Sequence, residues 1–477
     1  MKSALVVLAL TFAASCGVAA STSLDSSFAT AGRVRYTTGN YFKGVLAHLP
    51  KADGGSIVVT HYHDVDGAGN QIGPDAIILQ HFASSGAAGS QHSVLASAAN
   101  FARIGGAAID SQGRLVVVGS TTATFSQSDF RVARILPNGV LDNGFDGDGI
   151  AEIDFAGGGN NDDQANAVAI DAQDRIVVVG AVERELTGDF DFGIARLTVA
   201  GLLDSTFGGG DGKVITQFDL GAGQHYDAAR AVAIGSDGRI TVAGGAYDSV
   251  VGATRIAIAR LTNSGAQDVT FCATSCNFMD TYTAIHSGRR VIFYGAAAPA
   301  RSDQVAALAI RDDGAWLIAG TTPGSGEMLG YVMRLDAAGN WTHEVATQGG
   351  TGSGGNTFVG GVHWLQPSDP SSDIVLTGAS GPNEEFFFAQ RFDPLLFAVA
   401  NWGMIGPANS IYLWTGSGGF GDVGDNRPAR SAIDANRRVL VGGRYKANLP
   451  ADPYSAVAAR LTSTDPVSAD IFKNGFE

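Results

Sequence analysis

A run of strand-forming residues that closes on glycine returns along this chain. It reads Arg114-Leu-Val-Val-Val-Gly119, Arg175-Ile-Val-Val-Val-Gly180, Arg239-Ile-Thr-Val-Ala-Gly244, Ala315-Trp-Leu-Ile-Ala-Gly320, Asp373-Ile-Val-Leu-Thr-Gly378 and Arg438-Val-Leu-Val-Gly442. The closing glycines lie 61, 64, 76, 58 and 64 residues apart. Upstream, Ser56-Ile-Val-Val-Thr60 fills the same place with His61 where the glycine would stand, which makes seven copies. Length alone, at about 150 residues per domain, would suggest three domains for 477 residues. A fixed period near 60 overrides that prior, because it marks an array of supersecondary units rather than independent globules.

Each unit carries the signals of four strands. In the second and third copies a mixed small and branched strand ends at Ile109 or Ile170. A tight turn follows, Asp110-Ser-Gln-Gly113 or Asp171-Ala-Gln-Asp174, in which the aspartate accepts from turn amides and glycine tolerates positive φ. The next strand, Leu115–Val118 or Ile176–Val179, is apolar on both faces and so must be covered on both. The third, starting at Phe130 or Phe192, is more mixed and is expected further out. The fourth, Ile150 to Phe155 or Lys213 to Phe218, comes after a turn carrying Leu141-Asp142 or Leu203-Asp204. Seven such units predict an all-β fold, a seven-bladed β-propeller of four-stranded antiparallel blades. A solenoid would need shorter repeats and polar caps. Leu24-Asp25-Ser-Ser-Phe28 through Tyr36 matches the end of a repeat, while the last copy stops soon after Ala459-Arg460-Leu461. The N-terminal strand is therefore expected to complete the last blade and close the ring, which removes two free sheet edges.

The combination Asp-x-x-Gly-Arg-Ile-Val-Val-x-Gly, then Asp-Phe-x-x-Ala-Arg-Leu, then Gly-x-Leu-Asp-x-x-Phe-Gly resembles the delta-60 repeat of secreted and surface-associated bacterial proteins. The resemblance is strong in the second and third copies, good in the fourth and recognisable in the seventh. Copies one, five and six depart from it, with Gln80-His81-Phe82, Met333-Arg334-Leu335 and Gln390-Arg391-Phe392 in place of Ala-Arg-Leu. It implies a propeller and an exported location, and it carries no catalytic residues.

Residues 1–20 read as a signal peptide, with Lys2, an apolar run from Ala4 to Ala14 and small residues before Ser21. A lipid anchor at Cys16 is the alternative. The propeller is expected over 21–465 and a linker and tail over 466–477, ending Ile-Phe-Lys-Asn-Gly-Phe-Glu477. No later segment reaches the roughly 18 uninterrupted apolar residues of a membrane helix. The expected location is therefore secreted, periplasmic or at a bacterial cell surface, and the expected state a monomer. A formal net charge of −15 argues against nucleic acid as a partner. Cys272 and Cys276, with three residues between them, are expected to form a local disulfide in such a compartment.

Function on a repeat scaffold lies where copies differ. The arginines at 134, 196, 260, 334, 391 and 460 recur at one strand position, which suits structural contacts, and Asp25, Asp142 and Asp204 read as turn caps. The loops expected around the channel mouth hold Asn160-Asn161-Asp162-Asp163, His225-Tyr226-Asp227, Asp303-Gln304 and Asp425-Asn426-Arg427. Asp162, Asp163, Asp227, Asp303, Asn426 and Arg427 are thus the candidate binding residues, for a glycan or a protein. If the site is instead that of a polysaccharide lyase or hydrolase, His225 and Tyr226 are the proton-transfer candidates. His61, His63 and His81 are weaker candidates for a metal. The turn Asp146-Gly-Asp148-Gly149 has calcium-like oxygens but lacks the ordered 12-residue loop. No cofactor is expected. Serine-hydrolase, zinc-protease and phosphate-loop motifs are absent; Gly350-Thr-Gly352 matches a dinucleotide pattern by letter only.

Overall fold

In the computed structural model the described residues are 33–37, 42–62, 76–94, 101, 103–121, 127–184, 188–223, 225–272, 288–292, 302–324, 327–347, 356–381, 386–396, 410–412, 430–445 and 455–461. They form seven four-stranded antiparallel sheets. Strand β1 (Arg33–Thr37) is followed by blade 1, made of β2 (Phe42–Pro50), β3 (Ser56–Tyr62), β4 (Ala76–Phe82) and β5 (Ala88–Val94). Blade 2 holds β6 (Arg103–Ile109), β7 (Leu115–Ser120), β8 (Phe130–Ile135) and β9 (Ile150–Ile153). Blade 3 holds β10 (Asp163–Ile170), β11 (Ile176–Glu183), β12 (Phe190–Leu197) and β13 (Lys213–Thr216). Blade 4 holds β14 (Ala228–Ile234), β15 (Ile240–Asp248), β16 (Ala253–Leu261) and β17 (Arg289–Ile292). Blade 5 holds β18 (Gln304–Ile310), β19 (Trp316–Pro323), β20 (Met328–Leu335) and β21 (Trp341–Thr347). Blade 6 holds β22 (Asn356–Trp364), β23 (Ile374–Gly381), β24 (Phe386–Phe392) and β25 (Ser410–Tyr412), and blade 7 holds β26 (Arg430–Ile433), β27 (Val439–Tyr445) and β28 (Ser455–Leu461). Strand β1 pairs with β28 from Arg33 opposite Ala459 to Thr37 opposite Ser455, so the start of the chain supplies the outermost strand of blade 7. Among the described residues no helix is long and apolar enough to cross a membrane.

The apolar core sits in the seams between blades. Val116, Val118, Phe130 and Val132 of blade 2 pack on Ala165, Ile176 and Val178 of blade 3, and equivalent clusters fill the seams on either side. This is why the second strands are apolar on both faces: each sheet is covered by two neighbours. The third strands lie further out than the second, as expected, and are buried as well; all eight residues of β12 are. Their polar positions face the next blade instead of water.

The repeated glycine that closes each second strand answers to a close approach. Opposite Gly180 the inner strand skips a residue between Ala165 and Ala167, and a Cβ on Gly180 would overlap the carbonyl oxygen of Gln164 and crowd the Phe130 ring. In blade 1 the relief comes from the partner strand, where Gly44 lies across from His61.

The recurring arginines form the second half of each seam. Arg134, Arg196 and Arg260 each donate Nε–H to an aspartate of the following turn, Asp142, Asp204 and Asp268, at 2.8 Å in all three. Each also donates from Nη1 across the seam, to the carbonyl oxygens of Val199, Asn263 and Ala337. Each guanidinium lies over a phenylalanine, 4.7 Å from the Phe145 ring, 4.6 Å from Phe207 and 4.8 Å from Phe271. Those rings press on the turn of the next blade, where only glycine fits. Gly265, at φ +84°, would need its Cβ within 2.9 Å of the Phe207 ring. The spelling Gly-x-Leu-Asp-x-x-Phe is thus one interlocking contact repeated between blades. Blade 5 lacks the aspartate, and Arg334 keeps the crossing bond, to Pro394, and a ring contact, 5.6 Å from the Trp364 centroid. Arg391 pairs with Asp373, and Arg460 is buried.

Candidate functional site

The connections that enter each inner strand and those between second and third strands share one end of the channel. The inner strands are the only ones that see the axis, and their burial pattern shows it: Ala167 to Ile170 and Val232 to Ile234 are half-buried where the neighbouring strands are buried. Just inside the mouth, a cavity of about 390 Å³ is lined by residues from blades 2 to 6, among them Arg103, Asn166, Tyr226, Arg230, Asp303 and Gln304.

A repeated irregularity aims side chains into this cavity. The ladder between first and second strands skips one residue at Gly105, Asn166, Arg230, Ala306 and Gly360, and at Leu46 in blade 1. A bulged residue leaves the alternation of the strand and can be re-aimed. Asn166, Arg230 and Ala306 all line the cavity. Asn166 donates Nδ2–H to the Ala229 carbonyl of blade 4 at 2.9 Å. Arg103, at the first position of β6, donates to Gln164 Oε1 at 2.7 Å. Gln164 in turn donates to Asp162 Oδ2 at 3.1 Å, so a polar relay from blade 3 holds the Arg103 guanidinium at the mouth.

The acids expected to ring the mouth are mostly turned into the protein. Asp163, 0% exposed, accepts from the backbone N–H of Phe155 at 3.1 Å and of Glu183 at 3.2 Å. Asp227, also 0% exposed, accepts from Tyr247 N–H at 2.9 Å. Asp303 accepts from the Thr322 hydroxyl at 2.8 Å and is the one buried aspartate of the three that borders the cavity. These residues occupy one structural position: the backbone N–H of each donates to the previous blade, at Ser128, Phe190 and Thr254. They staple the inner strand to its surroundings. Burial pushes the Asp163 carboxyl up to about 7, with Asp129 and Asp154 adding repulsion, and the Asp227 carboxyl up to about 8, with Asp191 and Asp219 beside it. Asp162, buried as well, is also raised by burial.

The two proton-transfer candidates are split. Tyr226 lines the cavity and rests against the Phe190 ring, with centroids 5.0 Å apart. His225 is buried, its Nδ1 3.7 Å from Asp189 and 3.9 Å from Asp219, away from the cavity lining. Of the histidine group, His63 lies outside the described residues. His61 pairs with Ile77 and His81 with Ile57, four ladder positions apart, or about 13 Å, so the structure does not bring these two imidazoles together. Asn426 and Arg427 lie outside the described residues, as do Cys276 and the segments 1–32 and 462–477; Cys272 is disulfide-bonded.

Carboxylates of the calcium-like turns are occupied by turn amides: Asp142 holds Gly144 N–H at 3.0 Å and Asp148 holds Ile150 N–H at 2.9 Å. The group of acids that does converge among the described residues is Asp129, Asp154 and Asp163, with oxygens within 4.8 Å of one another.

Arg103 and Arg230 escaped the sequence reading, yet a signal existed. Aligned on their bulges, the inner strands read Ile104-Gly-Gly106, Ala165-Asn-Ala167, Ala229-Arg-Ala231 and Val305-Ala-Ala307. A charge in one of four otherwise small-residue strands is the kind of difference between copies that marks a site.

A family model described as a domain of unknown function (DUF5122) beta-propeller matches residues 111–145 and 235–271, in blades 2 and 4. No curated protein matches the sequence. Among solved structures, the chain is similar to polysaccharide lyase Uly1, at 8% identity and a TM-score of 0.53, over 90% of this chain and 98% of that one. It is also similar to a PL25 ulvan lyase bound to -[GlcA(1-4)Rha3S]-, at 10% identity and a TM-score of 0.47, over 89% and 95%, and to Sqt1 from Chaetomium thermophilum, at 11% identity and a TM-score of 0.40, over 90% and 99%. At these identities the likeness concerns architecture: the chain is a seven-bladed β-propeller.

Proposed function

We propose that this protein is an exported binding module of the delta-60 type whose ligand, a glycan, enters the central channel. The observation that carries the reading is the cavity of about 390 Å³, into which five inner strands converge and the bulged Asn166, Arg230 and Ala306 point. Cavities of this size, with a few convergent polar groups in a rigid frame, are the usual seat of small ligands. A polysaccharide lyase uses the same architecture, which makes oligosaccharides the first ligands to test. The mature protein, screened by thermal shift against oligosaccharides, divalent metals and EDTA, should gain stability with a saccharide. Filling the channel with Ala306→Phe should remove that gain. A gain that survives in Ala306→Phe would place the ligand elsewhere and overturn the reading.

The enzymatic alternative, a lyase or hydrolase acting at the mouth, rests on Tyr226, the member of the candidate pair that borders the cavity. Polysaccharide turnover lost in Tyr226→Phe and kept in His225→Ala would establish it. Binding without product supports the module.

A further inference from the structure

Arg230 is the charged member of the ring of bulged residues, and its setting is unusual for this chain. It stands between Ala229 and Ala231, both buried in the seams to blades 3 and 5, while its own side chain is exposed to the channel. Among the described residues it makes no hydrogen bond and no ion pair. The arginines of the seams, by contrast, are held by carboxylates and carbonyls. The carboxylate that borders the same cavity, Asp303, is fully buried and accepts from the Thr322 hydroxyl. A second guanidinium, Arg103, lines the same cavity. The result is a cationic spot in a concave wall of a protein whose formal net charge is −15. Low-dielectric walls strengthen such a field locally, and a planar guanidinium offers paired donors matched to the oxygens of a carboxylate or sulfate. Hydroxyls of Thr254, Ser302 and Tyr226 border the same space.

We infer that Arg230 anchors an anionic group of the ligand, so that the channel takes an acidic saccharide, carrying carboxylate or sulfate, in preference to a neutral one. This rests on the channel reading above and goes further by naming the ligand's charge. Calorimetric titrations with trigalacturonate, inorganic sulfate and neutral maltotriose test it, on the wild-type protein and on Arg230→Gln, Arg230→Lys and Ala306→Phe, each checked for an unchanged fold by circular dichroism. Trigalacturonate and sulfate should bind in the millimolar range or tighter, detectable at about 20 mM ligand. Arg230→Gln should weaken both by about tenfold or more, and Arg230→Lys by less, because a charged hydrogen bond is lost in one and only its geometry in the other. A response to trigalacturonate but not sulfate would fix the group as carboxylate, and the reverse as a sulfate ester. No binding of either anion, or affinities that Arg230→Gln leaves within about twofold, overturns the anchor. Maltotriose binding that Ala306→Phe blocks and Arg230→Gln spares leaves the channel reading standing and removes the anion preference. Anion binding that ignores Ala306→Phe removes the channel reading itself.

Discussion

The two ends of this propeller differ in what their polar residues do. At the end carrying the turns between third and fourth strands, Arg134, Arg196 and Arg260 repeat the same triple contact to an aspartate, a phenylalanine and the next blade's carbonyl. At the mouth, equivalent inner-strand positions hold Gly105, Asn166, Arg230, Ala306 and Gly360. Repetition at one end closes seams, because every seam poses the same packing problem. Variation at the other borders the channel, where each position meets different surroundings: blade 3 crowds Gly105, Asn166 bonds to blade 4, and Arg230 is exposed. The most repeated charges are therefore structural and the least repeated one is the candidate for recognition.

The largest expected effect tests the closure on which both ends depend. Deleting residues 24–37 removes β1 and exposes the edge of β28. Stability should fall by on the order of 5 kcal/mol, taking about 1 kcal/mol for each of the lost pairings, with aggregation from the open edge. An unchanged melting temperature would refute the role of β1. Next, Arg196→Ala strands the Asp204 carboxylate and the Asn263 carbonyl in a buried seam, and should cost about 3 kcal/mol in urea unfolding. The same change at the mouth, Arg230→Ala, should stay within about 0.5 kcal/mol of wild type. Equal costs would break the contrast between the two ends. Gly265→Ala, strained by both its φ and the Phe207 ring, should cost about 1–3 kcal/mol, measured in the same way.

A pH effect of smaller size sharpens the staple assignment. Asp163 and Asp227 hold protons up to about 7 and about 8 in the folded state, whereas an unfolded carboxyl loses its proton near 3.8. Unfolding therefore releases protons between those values, and the stability these two groups contribute should be full below about pH 4 and be lost as pH rises towards 7 to 8. Asp227→Asn, which can still accept from Tyr247, should flatten part of that decline; a pH profile of urea midpoints identical to wild type would count against the buried, protonated state.

How far the sequence could be read depended on whether a residue's role was local or set by its partners. Period, strand order and the β1 closure were legible because apolar runs and turn residues act within a few positions, and because Leu24–Tyr36 and the last copy carry complementary parts of one repeat. The arginine contacts could be anticipated as structural from recurrence alone. The phenylalanine and glycine of Leu203-Asp-x-x-Phe207 and Gly265 could not be linked to each other, since they meet across a seam from different blades. Asp163, Asp227 and Asp303 were placed at the right end of the propeller, but the direction of a carboxylate at a strand entrance depends on whether backbone N–H groups wait behind it, as those of Phe155, Glu183 and Tyr247 do. Arg230 reaches the channel because a bulge breaks the alternation of β14. The sequence by itself determined seven units and a closed ring, through patterns that repeat along the chain. Which side chains face the channel and which are sealed into seams was decided by the tertiary structure, where the pairing of strands and the packing of neighbouring blades set each direction.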